Sequence, residues 1–475
     1  MIRRIYRKKT SSAGFFRLLA GTALIAGICW LGYKLVSEKA TLGFSPKALV
    51  ENSIFKNETF STNVEEIVSR EGIKAYYFED HTNPIISLSF MFKNAGTAFD
   101  DDGEEGIANM AAALLTEGAG NMNAQELKEE LEDKAITIYY TADNDDFSGS
   151  MKTLKSNLKE AGDFLKLTLA EPRFDRADIK RIREQMLTAI NQQVEYPEST
   201  LDILWAQELY GSHPYGRNPV GKKADIKEIG KEKLQKFVKN RFNKSNLIVG
   251  IAGDISKTDA EKLLDKVFGN LPDNGSRAVV KDADVVFDGR EKNISMPLPQ
   301  SIAVFAAQGT PRSGDDFYPL YIANQIFGGS GLTSRLAKSA REDRALTYGV
   351  YSYLSLGDKS QLLKGRFSST PENFQKVKAI VDEEWQKIAE KGVTPAELEE
   401  TKNYMIASYN LRFASLDQIS AILVMMQKDG LGKDFLQKRN GYVEAVTLDE
   451  VNAAAAKYFG AGKPVWVNIG TMKNN

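Results

Sequence analysis

PIISLSFMFKNAGTAFDDDGEEGIANMAAALLTEGAG, residues 84–120, decides how this chain is read. An apolar, strand-like run, Ile85–Phe92, leads into an acidic turn, Phe99–Gly106, and then into a small-residue helix that stops at glycine. The same order returns in QSIAVFAAQGTPRSGDDFYPLYIANQIFGGSG, residues 300–331: strand, turn with paired aspartates, apolar helix, glycines. The closing sections match too. RFNKSNLIVGIAGDI, from Arg241 to Ile255, and KYFGAGKPVWVNIG, from Lys457 to Gly470, each run from a helix end through a polar turn into a strand. Both pairs are offset by roughly 215 residues. A fixed offset between two separate pairs marks an internal repeat.

Strands first, long helices between and a strand to close imply an α+β fold. The expectation is two tandem homologous domains, each a largely antiparallel sheet with helices packed on one face, preceded by an N-terminal membrane segment. The boundaries follow: a basic N-region plus signal anchor or signal peptide at 1–40, a linker at 41–63, an N-terminal domain at 64–275, a linker at 276–295 and a C-terminal domain at 296–475. The polar, charged run Asn274–Ser295 carries that second boundary.

The chain has 475 residues, with 62 Lys+Arg against 63 Asp+Glu, so no global charge points to a nucleic-acid partner. One cysteine, Cys29, excludes disulfides and cysteine–zinc clusters. The two histidines, His81 and His213, lie far apart, so no zinc motif can be built on two neighbouring imidazoles. The start is different in character: MIRRIYRKKTSSAGFFR is basic and LLAGTALIAGICWLGYKLV is apolar apart from Lys34. That is an export signal. Residues 15–36 span a bilayer if Arg17 and Lys34 snorkel, and no small-x-small cleavage site follows. The reading is an uncleaved inner-membrane anchor with the bulk of the chain in a bacterial periplasm, a cleaved peptide being the alternative.

Residues from Val64 onward resemble the pitrilysin/insulinase superfamily of zinc peptidases, family M16. HPYGRNPVG at His213 and SRLAKSAREDRALTYGVYS at Ser334 carry the resemblance along with the phrase around Gly106. Active members have H-x-x-E-H on a helix, two imidazoles one turn apart on zinc and a glutamate as base, with a later glutamate completing the ligands. Aligned to that pattern, Asn109 and Ala113 take the histidine positions, Ala112 the catalytic glutamate, and Ala189, in QMLTAINQQVEYP, the later ligand. All four have lost the chemistry. Ile107, Met110, Ala111 and Leu114 keep helical core spacing, so the helix is expected to persist as architecture.

The second half keeps more. The resemblance implies that Arg341 and Tyr348, seven residues apart in AREDRALTY, face a zinc site across a cavity and bind substrate carbonyls. Donors of this kind contribute about 2.7–4 kcal/mol each where water is excluded. In isolation Arg341 reads as an ion pair with Glu342 or Asp343, and Tyr348 as a half-buried aromatic. The loop Gly328, Gly329, Ser330 and Gly331 resembles substrate-handling loops of non-catalytic subunits; the plainer reading is a helix end. His213 reads as a turn-stabilising residue, FDDDGEEG as a solvated loop before a helix N-terminus, and Ile85–Phe92 as sheet core.

The function expected is therefore that of a catalytically incomplete M16 subunit with no metallopeptidase activity of its own. It would hold no cofactor, zinc being expected in a homologous partner, and the heterodimer would form a chamber that degrades or processes peptides. The alternatives are a non-enzymatic scaffold with the same fold and a homodimeric peptide-binding module.

Overall fold

Strand β3 (Ile85–Phe92) lies at the heart of a six-stranded sheet whose order is β1-β2-β6-β3-β5-β4. The computed structural model describes residues 63–276 and 279–471; the expected membrane segment, and the linker after it up to residue 62, lie outside them. No helix among the described residues is long and apolar enough to cross a membrane. The other strands of this sheet are β1 (Glu65–Val68), β2 (Lys74–Glu79), β4 (Thr137–Ala142), β5 (Phe147–Leu154) and β6 (Leu247–Gly253). A second sheet runs β7-β11-β8-β10-β9, built from β7 (Glu291–Ser295), β8 (Ser301–Gln308), β9 (Gly349–Gly357), β10 (Ser360–Ser369) and β11 (Val465–Gly470). The two orders superimpose, with β6, β3, β5 and β4 answering to β11, β8, β10 and β9. Each sheet has one parallel pair, β2 with β6 and β7 with β11, and is otherwise antiparallel.

The repeat extends to packing. Phe90 on β3 stands opposite Gly149 on β5, and Phe305 on β8 opposite Gly365 on β10. A β-carbon on either glycine would come within 2.2 or 2.1 Å of the facing ring. Both phenyl rings are buried in the cores on the helical faces of their sheets.

Two expectations need correction. The sheets bear helices on both faces. Helix Leu416–Lys428, from the second half, packs on β2, β3 and β6 of the first sheet, and helix Pro197–Tyr210, from the first half, packs on β8 and β11 of the second. The cause is visible in the strands: β8 buries Ile302, Val304 and Ala306 on one face and Ala303, Phe305 and Ala307 on the other. A strand apolar on both faces has to be covered on both. On the first sheet the close approach depends on Gly250, where a β-carbon would lie 2.4 Å from the Ser420 carbonyl, while Ser87 and Ser89 hydroxyls reach the Ser420 hydroxyl at 2.9 and 2.8 Å. The second correction concerns the 276–295 linker. Its end is β7, which pairs in parallel with β11 and so belongs to the second sheet. Its start is also tied down, since Val280 is buried beside Phe99 and Tyr215.

A buried polar network joins the halves. Lys428 pairs with Asp146, just before β5, and lies 3.3 Å from Asp358 in the β9–β10 turn. Asp145 accepts from the Tyr215 hydroxyl and from the Asp358 amide at 3.0 Å, and the Lys359 amide donates to the Tyr215 oxygen at 3.0 Å. Burial pushes the Asp146 carboxyl up to about 6 although Lys428 opposes it.

Candidate functional site

The helix at the degenerate metal position spans Ile107–Leu114. Ile107, Met110, Ala111 and Leu114 are all buried, as their spacing predicts. Gly106 starts the helix at φ +100°, a left-handed conformation that favours glycine, and a β-carbon there would also meet the Val220 carbonyl at 2.7 Å. The HPYGRNPVG segment is thus pressed against the start of this helix. Within it, His213 Nδ1 accepts from the Tyr215 amide at 3.1 Å and Nε2–H donates to the Lys281 carbonyl at 2.8 Å. The turn-stabilising reading of His213 is what the geometry gives.

The acidic stretch is not solvated throughout. Asp101, Asp102 and Gly103 are exposed, but Asp100 is buried and accepts from the amides of Gly106 at 2.8 Å and Ala108 at 3.3 Å. Burial pushes its carboxyl up to about 7, against those amides and the nearby Arg241 and Arg217. A run of three aspartates gives no sign of which one turns inward.

Asn109 is half-buried and donates its side-chain amide to the Pro219 carbonyl at 2.6 Å. Ala112 is buried and Ala113 exposed. Helix Ile107–Leu114 packs on helix Arg176–Gln193, which carries the half-buried Ala189. The fold family implies zinc at this place, and these residues do not fit it. Three offer only methyl groups, and the carboxamide of the fourth is engaged with the neighbouring loop.

Arg341 and Tyr348 lie at the two ends of one surface segment. Arg341 sits in a π-helical turn, Ala337–Glu342, and Tyr348 immediately precedes β9. Between them the chain is pinned by the Ala345 amide to the Arg341 carbonyl at 3.0 Å, the Leu346 amide to the Ala340 carbonyl at 2.9 Å, and the Thr347 hydroxyl to the Ser368 carbonyl at 2.6 Å. Arg341 is exposed and forms no ion pair with Glu342 or Asp343 among the described residues. Tyr348 is 85% exposed, so the half-buried reading does not hold.

The GGSG loop closes a π-helical turn, Gln325–Gly329. A β-carbon on Gly328 would meet the Ser352 hydroxyl at 2.4 Å, Ser330 donates its hydroxyl to the Gln325 carbonyl at 2.8 Å, and Gly331 has φ +59°. Packing and helix termination account for these residues.

Sequence reasoning missed a second cluster, on the other face of the same sheet edge. Tyr351 and Tyr353, both exposed, stack on β9 and stand opposite Arg366 and Lys364 on β10. Charges at alternate positions of the strand LLKGRF were the available signal.

Comparison with known proteins gives a consistent result. The profile described as insulinase (peptidase family M16) matches residues 77–221, and that described as peptidase M16 inactive domain matches residues 228–405. The chain is 23% identical over 401 residues to the Helicobacter pylori protein called non-peptidase homolog YmxG, covering 84% of this chain and 92% of that protein. It is 23% identical over 370 residues to an uncharacterized zinc protease YmxG of Bacillus subtilis, covering 74% and 86%. A crystal structure of a peptidase M16 inactive domain from Pseudomonas fluorescens superimposes with a TM-score of 0.81 at 25% identity, covering 87% of this chain and 99% of that one.

Proposed function

Because the chain belongs to peptidase family M16 and resembles its inactive members, we propose that it is the non-catalytic subunit of a two-chain peptidase. A zinc-bearing homologue supplies the metal and the base. This chain supplies half of a peptide-holding chamber, with Arg341 and Tyr348 donating to substrate carbonyls. The observation that carries the reading is the state of that pair: a guanidinium and a phenol held on one pinned segment, both exposed, neither engaged among the described residues. A buried tyrosine would be structural; one left 85% exposed is available to another molecule. The basic and apolar segment before residue 41 supports placing the chamber in the periplasm, tethered by residues 15–36.

The test is reconstitution with the zinc-bearing homologue from the same genome. Arg341→Ala and Tyr348→Phe each lower peptide hydrolysis by the pair by about a hundredfold or more, the effect of losing one oxyanion donor. The chain alone gives no chelator-sensitive hydrolysis. Full activity in both variants, or a chain that never associates with such a homologue, overturns the reading and leaves the scaffold alternative standing.

A further inference from the structure

Helix Pro197–Tyr210 and strands β9 and β10 converge on a place where two side chains, Trp205 and Arg366, have buried donors without acceptors among the described residues, beside the half-buried Lys364. Trp205 is only 5% exposed, and its indole N–H has no partner among the described residues. Arg366 uses Nη1 on Asp202 at 3.3 Å, but its buried Nη2 donates no hydrogen bond; its nearest further carboxylate, Glu198, is 3.8 Å away and mostly exposed. Lys364 holds its ammonium 3.8 Å from the centre of the Trp205 ring and forms no ion pair or hydrogen bond among the described residues. Buried donors of this sort are ordinarily satisfied. An ammonium resting on an indole face is partly stabilised by the ring, yet its three N–H donors meet no protein acceptor among the described residues.

The surroundings point to what satisfies them. Tyr353 stands directly across the ladder from Lys364, and Tyr351 across from Arg366; their rings stack 6.4 Å apart and are exposed. They flank the cationic pair on the edge strand of the sheet, where the other side of β9 has no strand neighbour among the described residues. Asp202 is engaged by Arg366 and is itself half-exposed, so Lys364 is left without a carboxylate of its own among the described residues.

We propose that Lys364, Arg366 and Trp205, flanked by Tyr351 and Tyr353, form a carboxylate-binding subsite for peptides held along β9. The ammonium and the guanidinium give charge-assisted bonds to one carboxylate, the strongest class of hydrogen bond open to such a ligand. The tyrosines provide flat surfaces for the neighbouring residue. Burial pushes the Lys364 ammonium down to about 8, and an incoming carboxylate restores it. Tyr348 immediately precedes β9, so five residues separate it from Tyr353. At about 3.4 Å per strand residue that is roughly 17 Å. An extended peptide with a carbonyl at Tyr348 therefore reaches this subsite about five residues along. The inference deepens the chamber reading and rests on it.

The experiment uses the full chain and measures labelling of Lys364 by an amine-reactive reagent at pH 8, read by mass spectrometry. The probes are sodium glutarate and four versions of one Ala/Leu/Gly octapeptide, carrying Glu or Gln and ending in a free or amidated C-terminus. Glutarate and the carboxylate-bearing peptides are expected to protect Lys364, and the amidated Gln peptide is not. Whether the Glu or the free terminus protects identifies the source of the carboxylate. Lys364→Met lowers affinity for the acidic peptide by about tenfold or more and leaves the amide peptide unchanged, while Lys364→Arg restores much of the loss. If acid and amide peptides bind alike, the subsite is refuted and the chamber reading survives. If glutarate protects Lys364 and no peptide binds, the cluster takes small carboxylates only, and the peptide subsite is refuted together with peptide holding by this chain. Unchanged labelling with every probe overturns the proposal without reliance on any variant.

Discussion

At the scale of single residues, the chain separates side chains that hold the fold from side chains that have no task within it. Asp100 belongs to the first kind. Its carboxyl caps the Ile107–Leu114 helix from a buried position and is pushed up to about 7. The unfolded chain releases this proton near pH 4, whereas the folded chain keeps it until about 7. Between those values the folded state binds more protons, so the contribution of Asp100 to stability declines as pH rises. Asp100→Asn keeps one acceptor and cannot titrate. Its thermal midpoint is expected to fall less steeply than wild type between pH 4 and 7 in scanning calorimetry; an equal slope would assign the dependence to other groups. Arg341, Tyr348 and Lys364 are of the second kind. The first two were singled out by the phrase around them, while Lys364 was not, since its isolation arises only where helix Pro197–Tyr210 meets β10.

At the scale of elements, the sequence showed β3, β6, β8 and β11 and the internal repeat but concealed which helix covers which sheet. The spacing of Ile107, Met110, Ala111 and Leu114 names a buried face correctly because that face meets neighbours in its own half. The partner of Leu416–Lys428 is settled by shape instead. It rests on Gly250 and on the small hydroxyls of Ser87 and Ser89, which alternation along a strand reads merely as the polar side. For the same reason β7 looked like linker: EKNIS is exposed along most of its length, and only its ladder with β11 makes it a strand. Gly250→Ala places a methyl 2.4 Å from the Ser420 carbonyl. The helix must shift, at a cost of about 1–3 kcal/mol by comparison with other overpacked sites. A denaturation midpoint that moves by that amount, with an unchanged m-value, is the expected result; no change would mean that this helix is loosely seated.

At the scale of the whole molecule, the two repeats are bound by more than the chain that connects them. Each sheet is completed by the other half, and the Lys428, Asp146 and Asp358 cluster joins them across the middle. Removing one partner from a buried ion pair costs about 3–5 kcal/mol, so this contact resists separation. A protease site engineered between residues 281 and 284 should therefore give two fragments that co-elute as one species on gel filtration without denaturant. Fragments that separate would show that the covering helices contribute little. The Ile107–Leu114 helix and the Arg341–Tyr348 segment lie in different halves of this one body.

The reciprocal placement of Pro197–Tyr210 and Leu416–Lys428 also bears on descent. A gene coding for one repeat would produce a protein with a bare sheet and a stray helix. Two copies of that protein, each tucking its helix beneath the other, would be the smallest soluble form. Joining the copies end to end yields the present layout without redesigning a contact, so the long chain preserves in its own topology the handshake of a former pair.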